Sequence, residues 1–96
     1  MGNIQSCLFL VKRITDLYIK GQANMGMAAL CKSLCSARGR ESVALARELM
    51  GGNGIILDNY VMKAFVDMEA LHTYEGTWDI NVLIAGKDLT GHQAIF

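Results

Sequence analysis

One acidic residue of this chain lies where a carboxylate can do chemistry. Glu75 is followed by Gly76 and then by Thr77, which suits the start of a helix, and Tyr74 and Trp78 flank this loop. A carboxylate held in a tight loop, with aromatic side chains to exclude water, can act as a general base. More often such a carboxylate only complements a helix dipole. The residues alone leave both interpretations open.

A glycine-rich segment forms a second landmark, at the end of the longest helical pattern. Gly51, Gly52 and Gly54 occupy three of four successive positions. Glycines allow positive φ and leave no side chain in the way of a close approach by a ligand. They also end helices, which is the more frequent reason for such a segment.

Composition excludes several classes of function. The 96 residues are 52% hydrophobic and 19% charged, which is too apolar for a disordered chain. Nine basic and nine acidic residues cancel, so no long-range field attracts nucleic acid. We therefore predict no nucleic-acid partner. A small domain this apolar is expected to need a partner for one apolar face.

Three cysteines raise the question of a disulfide or a metal. Cys31 and Cys35 lie one helical turn apart, where their side chains share a face but are poorly placed for a disulfide. A zinc site would need further ligands at ordered spacing, and His72 and His92 lie in unrelated segments. We predict reduced, buried cysteines and no metal site.

The start of the chain matches a lipidation pattern. The order Met-Gly-Asn-Ile-Gln-Ser-Cys fits N-myristoylation at Gly2, with Cys7 as a second acylation site. We interpret Gly2 to Ser6 instead as the first turns of a helix. No apolar run approaches the roughly 20 residues that a bilayer span requires, so we predict no membrane span.

Periodicity and end signals predict four helices. They are expected over about 4–19, over about 24–50 with a bend near Gly39, from Asp58 or Asn59 to about 71, and from Thr77 to about Lys87. The stripe expected to face inward on the first helix is formed by Ile4, Leu8, Val11, Ile14 or Thr15, and Tyr18. The buried side is expected to be formed by Tyr60, Ala64, Phe65 and Met68 on the third helix and by Ile80, Leu83 and Ile84 on the fourth. Short connections favour an all-α antiparallel helical bundle, which we expect to be incomplete.

The two loops together resemble a known family. The segments GGNGI at 51–55 and TYEGTWDIN at 73–81 are similar to the C-terminal helical domain of the flavin-dependent acyl-CoA dehydrogenases and acyl-CoA oxidases. The resemblance extends from about Arg40 onward. The order Met-Glu-Ala-Leu at 68–71 and the later Gly-x-x-x-Thr-Gly ending at Gly91 look most like glutaryl-CoA dehydrogenase and the plant short-chain acyl-CoA oxidases.

The resemblance implies a reaction and roles for particular residues. Glu75 would remove the α-proton of an acyl-CoA while the β-hydride passes to FAD, which yields a trans-2-enoyl-CoA. Tyr74 and Gly76 would contact the substrate. The cofactor-binding residues would be Gly51, Gly52 and Gly54, which approach FAD across a subunit interface, together with Thr77 and Asp79.

The same resemblance sets expectations for the whole protein. Residues 1–96 would be a single fragment of the C-terminal domain, without the family's N-terminal helical and middle β-domains, and would neither bind FAD well nor turn over substrate alone. Full-length relatives are homo-oligomers. We expect a peroxisomal location, with the mitochondrial matrix as the alternative. A non-catalytic helical interaction fragment derived from the family is the alternative function.

Overall fold

Four α-helices make up most of the described part of this protein. A computed structural model describes residues 1–94, and within that range it contains no strand. The helices are α1 (Gly2–Ile19), α2 (Met25–Leu49), α3 (Tyr60–Thr73) and α4 (Trp78–Thr90), with a 3₁₀ helix at Gly51–Ile55 between α2 and α3. The predicted all-α class is confirmed. None of the helices in the described range is both long enough and apolar enough to cross a bilayer.

The longest helix, α2, is the scaffold on which the other three pack. Polar contacts give the direction of each pairing: Asn3 at the start of α1 lies 3.4 Å from Ser42 Oγ near the end of α2. Arg40 of α2 binds Glu69 of α3 at 2.8 Å, and Ser36, one turn earlier in α2, contacts His72, later in α3. Asn24, just before α2, donates to Asp88 late in α4. Each of the three helices therefore runs antiparallel to α2.

The helices α3 and α4 succeed one another along α2. Contacts from α3 fall around Ser36 and Arg40, whereas those from α4 fall at the start of α2, around Asn24 and Gly26. Residues 74–77 connect α3 to α4 without reversing the direction of the chain. The molecule is consequently flat, with extents of 48 × 30 × 17 Å, and its thinnest dimension is less than two helix diameters of about 10–12 Å.

Small residues let the neighbouring helices approach α2 closely. Its buried positions are Gly26, Ala29, Ser33 and Ser36. A Cβ atom at Gly26 would collide with the side chain of Asp88, and one at Gly39 would collide with Met68. Gly39, where we expected a bend, lies inside one continuous helix. A glycine is needed there because Met68 of α3 packs directly against it.

The inward face predicted for α1 was largely wrong. Ile4, Leu8 and Val11 are about half exposed and line an open groove of about 440 Å³ between α1 and α2, and Tyr18 is 77% exposed. The residues that are half-buried on α1 include Cys7, Leu10, Ile14 and Leu17, a stripe offset by about a quarter turn. Because α1 is apolar on both stripes, periodicity could not choose between them.

Two similar corrections apply to α3 and α4. Tyr60, expected in the core, is 72% exposed at the start of α3. On α4, Ile80 and Leu83 remain partly exposed, while Asn81 and Ala85 are the buried residues. Both expectations rested on hydrophobicity alone, whereas close packing on α2 selects small or hydrogen-bonded side chains.

Candidate functional site

Glu75 lies in the loop between α3 and α4, in an unusual backbone conformation. Its φ is 55°, and Gly76 follows with φ of 92°. Among residues 1–94, Glu75 is the sole non-glycine residue with positive φ. Such a conformation costs a residue with a side chain roughly 1–2 kcal/mol. Other contacts must therefore hold the loop in place.

Lys32 supplies one of these contacts, from the middle of α2. Its Nζ donates to the carbonyl oxygen of Gly76 at 2.6 Å and to that of His72 at 3.2 Å. Ser36, one turn further along α2, places its Oγ 3.0 Å from His72 Nδ1. The central helix thus contacts the chain on both sides of Glu75.

Asn81 supplies a second contact, from the first turns of α4. Its buried side-chain amide donates to the carbonyl oxygens of Gly76 at 2.8 Å and Thr77 at 3.1 Å. The carbonyl of Gly76 therefore accepts two hydrogen bonds, one from Lys32 and one from Asn81. A Cβ atom at Gly76 would lie 2.8 Å from the Asn81 amide nitrogen, so this position needs glycine for both its φ and its space.

Sequence reasoning missed the roles of Lys32, Ser36 and Asn81. A signal for the first was present, because Lys32 is a long cationic side chain on a stripe of α2 that otherwise carries alanines and serines. Asn81 was noticed only as part of the family motif. The Lys32 contact cannot be derived from spacing, since Lys32 and Gly76 are far apart in the chain.

The other residues expected to act near Glu75 lie at the surface around the loop. Thr77 caps α4 and accepts a hydrogen bond from the Ile80 amide, and Asp79 is exposed in the first turn of that helix. Tyr74 is 54% exposed and Trp78 is 42% exposed. Within this chain the carboxylate of Glu75 is open to solvent, so any exclusion of water must come from groups that cover the loop.

The glycine-rich segment divides into an open part and a packed part. Gly51, with φ of 56°, and Gly52 are exposed, and a Cβ atom at either would meet nothing within 4 Å. This bare backbone can lie against a flat or extended ligand. Gly54 is buried, and a Cβ atom there would collide with the carbonyl oxygen of Arg47. Packing against α2 is enough to explain the glycine at 54.

The structure does not bring the two loops together. The Glu75 loop lies beside Lys32, and the Gly51 turn lies beyond the far end of α2. At a rise of 1.5 Å per residue, the helix between these points is about 28 Å long. A single small group cannot touch both loops of one chain.

The cysteines lie away from both loops, between α1 and α2. Cys31 and Cys35 have sulfur atoms 3.9 Å apart, and all three cysteines are free and half-buried. Burial raises the pKa of the Cys7 and Cys35 thiols, which keeps both protonated near neutral pH. No cluster of acidic, histidine and cysteine side chains within residues 1–94 could hold a metal ion.

A comparison with protein families agrees with this geometry. Residues 2–90 match the family described as acyl-CoA dehydrogenase, C-terminal domain. The match begins with the first residue of α1 and ends with the last residue of α4, and it includes both loops. This chain therefore belongs to the family of acyl-CoA dehydrogenase C-terminal domains.

Proposed function

We propose that this chain is the catalytic C-terminal segment of a flavin-dependent enzyme that desaturates acyl-CoA to trans-2-enoyl-CoA. The observation that carries the proposal is the conformation of the Glu75 loop. A strained carboxylate-bearing residue, held by hydrogen bonds from two helices, is typical of a functional site.

In this proposal Glu75 is the base that takes the α-proton of the thioester. Its side chain projects from a loop whose backbone is held on both sides, so the carboxylate is presented in a restricted region of space. Proton abstraction of this kind depends on the position of the base relative to the reacting carbon. Gly76 leaves room for the thioester to approach, and the exposed ring of Tyr74 can pack against the substrate.

FAD is the cofactor that family membership implies, and two parts of the chain fit it. The open backbone of Gly51 and Gly52 suits an extended diphosphate or adenosine group, and Thr77 and Asp79 lie at the start of α4. When bound, FAD supplies the acceptor for the β-hydride. The 28 Å of helix between the loops, at about 1.5 Å per residue, supports contacts to FAD from two different subunits of an oligomer.

The finer assignment is an acyl-CoA oxidase of the plant short-chain type or a relative of glutaryl-CoA dehydrogenase. In the oxidase, electrons pass to oxygen and form hydrogen peroxide; in the dehydrogenase, they pass to an electron-transfer flavoprotein. The motifs at 68–71 and 86–91 support this branch of the family. A peroxisomal location belongs to the oxidase alternative and a mitochondrial matrix location to the dehydrogenase alternative.

A second candidate is a non-catalytic interaction module. The described helices carry many exposed apolar side chains and bury few, which suits a segment that packs on other domains or subunits. The two candidates differ in what they require of Glu75, because only catalysis needs its carboxylate.

Replacement of the carboxylate tests the proposal. An acyl-CoA dehydrogenase or oxidase assembled with this chain as its C-terminal domain should lose at least about 100-fold in kcat on Glu75→Gln, the usual contribution of a general base. The matched control is Asp67→Asn, an exposed residue on α3 paired with Lys63, which should leave kcat unchanged. Full activity of Glu75→Gln, with assembly intact, would favour the interaction module.

A further inference from the structure

We propose that Lys32 is a positioning residue for Glu75, an inference that rests on the function proposed above. Its ammonium group acts through the backbone, because its hydrogen bonds go to the carbonyl oxygens of His72 and Gly76. These two residues bracket the loop that carries Glu75. Lys32 therefore fixes the place of the carboxylate relative to α2.

The loop needs such a contact because its conformation is unfavourable by itself. Glu75 and Gly76 both have positive φ, and only the glycine adopts that region without strain. A free loop would relax to the extended or helical region and move the Glu75 side chain. Hydrogen bonds from a charged donor are among the stronger ones in proteins, which suits a contact that opposes this relaxation.

The other contacts cannot replace Lys32. Asn81 belongs to α4, so its hydrogen bonds to Gly76 and Thr77 hold the loop only relative to the helix that follows it. Ser36 contacts the His72 ring and leaves Gly76 untouched. Lys32 alone, among these residues, joins both sides of Glu75 to the central helix.

The position of Lys32 on α2 accounts for its reach. It lies half-buried among small neighbours, Ala28, Ala29, Ser33 and Ser36, so its four-carbon stem can extend across the helix surface to the loop. An ammonium group has three donors, of which two are used by the loop carbonyls. A shorter or neutral side chain at 32 cannot make both contacts with the same strength.

The experiment compares Lys32→Met, which keeps the length of the stem and removes the donors, with Lys32→Arg, which restores charge and donors. Lys63→Met, at an exposed lysine of α3, is the matched control. The first readouts, in the full chain, are hydrogen exchange of the Tyr74 amide and the backbone coupling constant of Glu75, which reports its φ. These readouts depend on neither cofactor nor turnover.

In Lys32→Met we expect exchange of the Tyr74 amide, which donates to the Ala70 carbonyl where the loop begins, to rise at least about tenfold, as the loss of a charged hydrogen bond implies, while protection inside α4 is retained. In the assembled enzyme, kcat should fall at least about tenfold with little change in KM, because a misplaced base slows the chemical step. Lys32→Arg should recover part of both losses, and Lys63→Met should lose neither.

Two outcomes would overturn the inference, and both are distinct from failure of the proposed function. Unchanged exchange of the Tyr74 amide together with an unchanged coupling constant of Glu75 in Lys32→Met would mean that Lys32 does not hold the loop. Wild-type kcat in Lys32→Met, alongside an inactive Glu75→Gln, would mean that the base does not depend on Lys32. A fully active Glu75→Gln would instead refute the proposed function. If Lys32→Met loses helical circular dichroism, Lys32→Gln is measured in its place with the same criteria.

Discussion

At the scale of single residues, the loop between α3 and α4 combines an acidic side chain, a strained backbone and a glycine that other residues could replace only with strain. Gly76 has φ of 92° and no room for a Cβ atom beside the Asn81 amide. Its carbonyl accepts hydrogen bonds from both Lys32 and Asn81. Gly76 therefore adopts a conformation that strains other residues, and its bonded carbonyl also helps to hold the backbone of Glu75 in place.

Gly76→Ala tests this account. We expect the free energy of unfolding to fall by about 1–3 kcal/mol, from positive φ and from the displaced Asn81 side chain. The measurement is urea unfolding followed by circular dichroism.

A matched control is available on α4. Gly86 is helical, and a Cβ atom there would meet nothing within 4 Å, so Gly86→Ala should stabilise the chain by up to about 1 kcal/mol. Equal effects of the two substitutions would contradict the account, because they would show that the Asn81 contact and positive φ do not matter.

At the scale of elements, α2 organises the fold because α1, α3 and α4 all pack on it and run antiparallel to it. Its first turn is joined to the last turn of α4. The side-chain oxygen of Asn24 accepts a hydrogen bond from the Met27 amide at 2.8 Å, and its amide group donates to the Asp88 carboxylate at 3.0 and 3.2 Å. One residue thus caps α2 and attaches α4.

Substitution of Asn24 should separate these two contributions. Asn24→Ala is expected to lower the free energy of unfolding by about 1 kcal/mol through the lost cap alone, with a further loss from the contact with Asp88. Asn24→Ser keeps a capping oxygen and should lose only the smaller part.

A double-mutant cycle with Asp88→Ala measures the contact between α2 and α4 directly, with an expected coupling of about 0.5 kcal/mol or more. A coupling of zero would mean that Asn24 acts only as a cap.

At the scale of the whole molecule, the described fold buries little apolar surface. Ala29 and Ala85 are its buried hydrophobic residues, while side chains such as Phe9, Leu49 and Leu89 are 64–89% exposed. The flat shape explains why so many apolar side chains are exposed, since a layer less than two helix diameters thick has little interior for large side chains. The prediction that an apolar face needs a partner agrees with this geometry.

The chain by itself should therefore associate. We expect its apparent size in gel filtration to exceed 10.5 kDa and to rise with concentration. Binding of an apolar fluorescent dye such as ANS should be strong even without denaturant. A monomer of constant size that binds no dye would show that the exposed side chains rearrange to cover one another.

The sequence by itself determined the features that depend on neighbours in the chain. The helix starts at Asn24 and Thr77 were predicted, and both residues cap their helices, because a cap is a contact over a few residues. The two loops also carried enough of the family's pattern to identify the domain.

The tertiary structure decided the features that depend on which helices meet. Both apolar stripes of α1 satisfy helical periodicity, and only packing on α2 shows which one is used. Whether α4 follows α3 along α2 or turns back beside it is likewise invisible in spacing. The contact of Lys32 with the loop that holds Glu75 joins positions far apart in sequence, so it exists only once α2, α3 and α4 have packed.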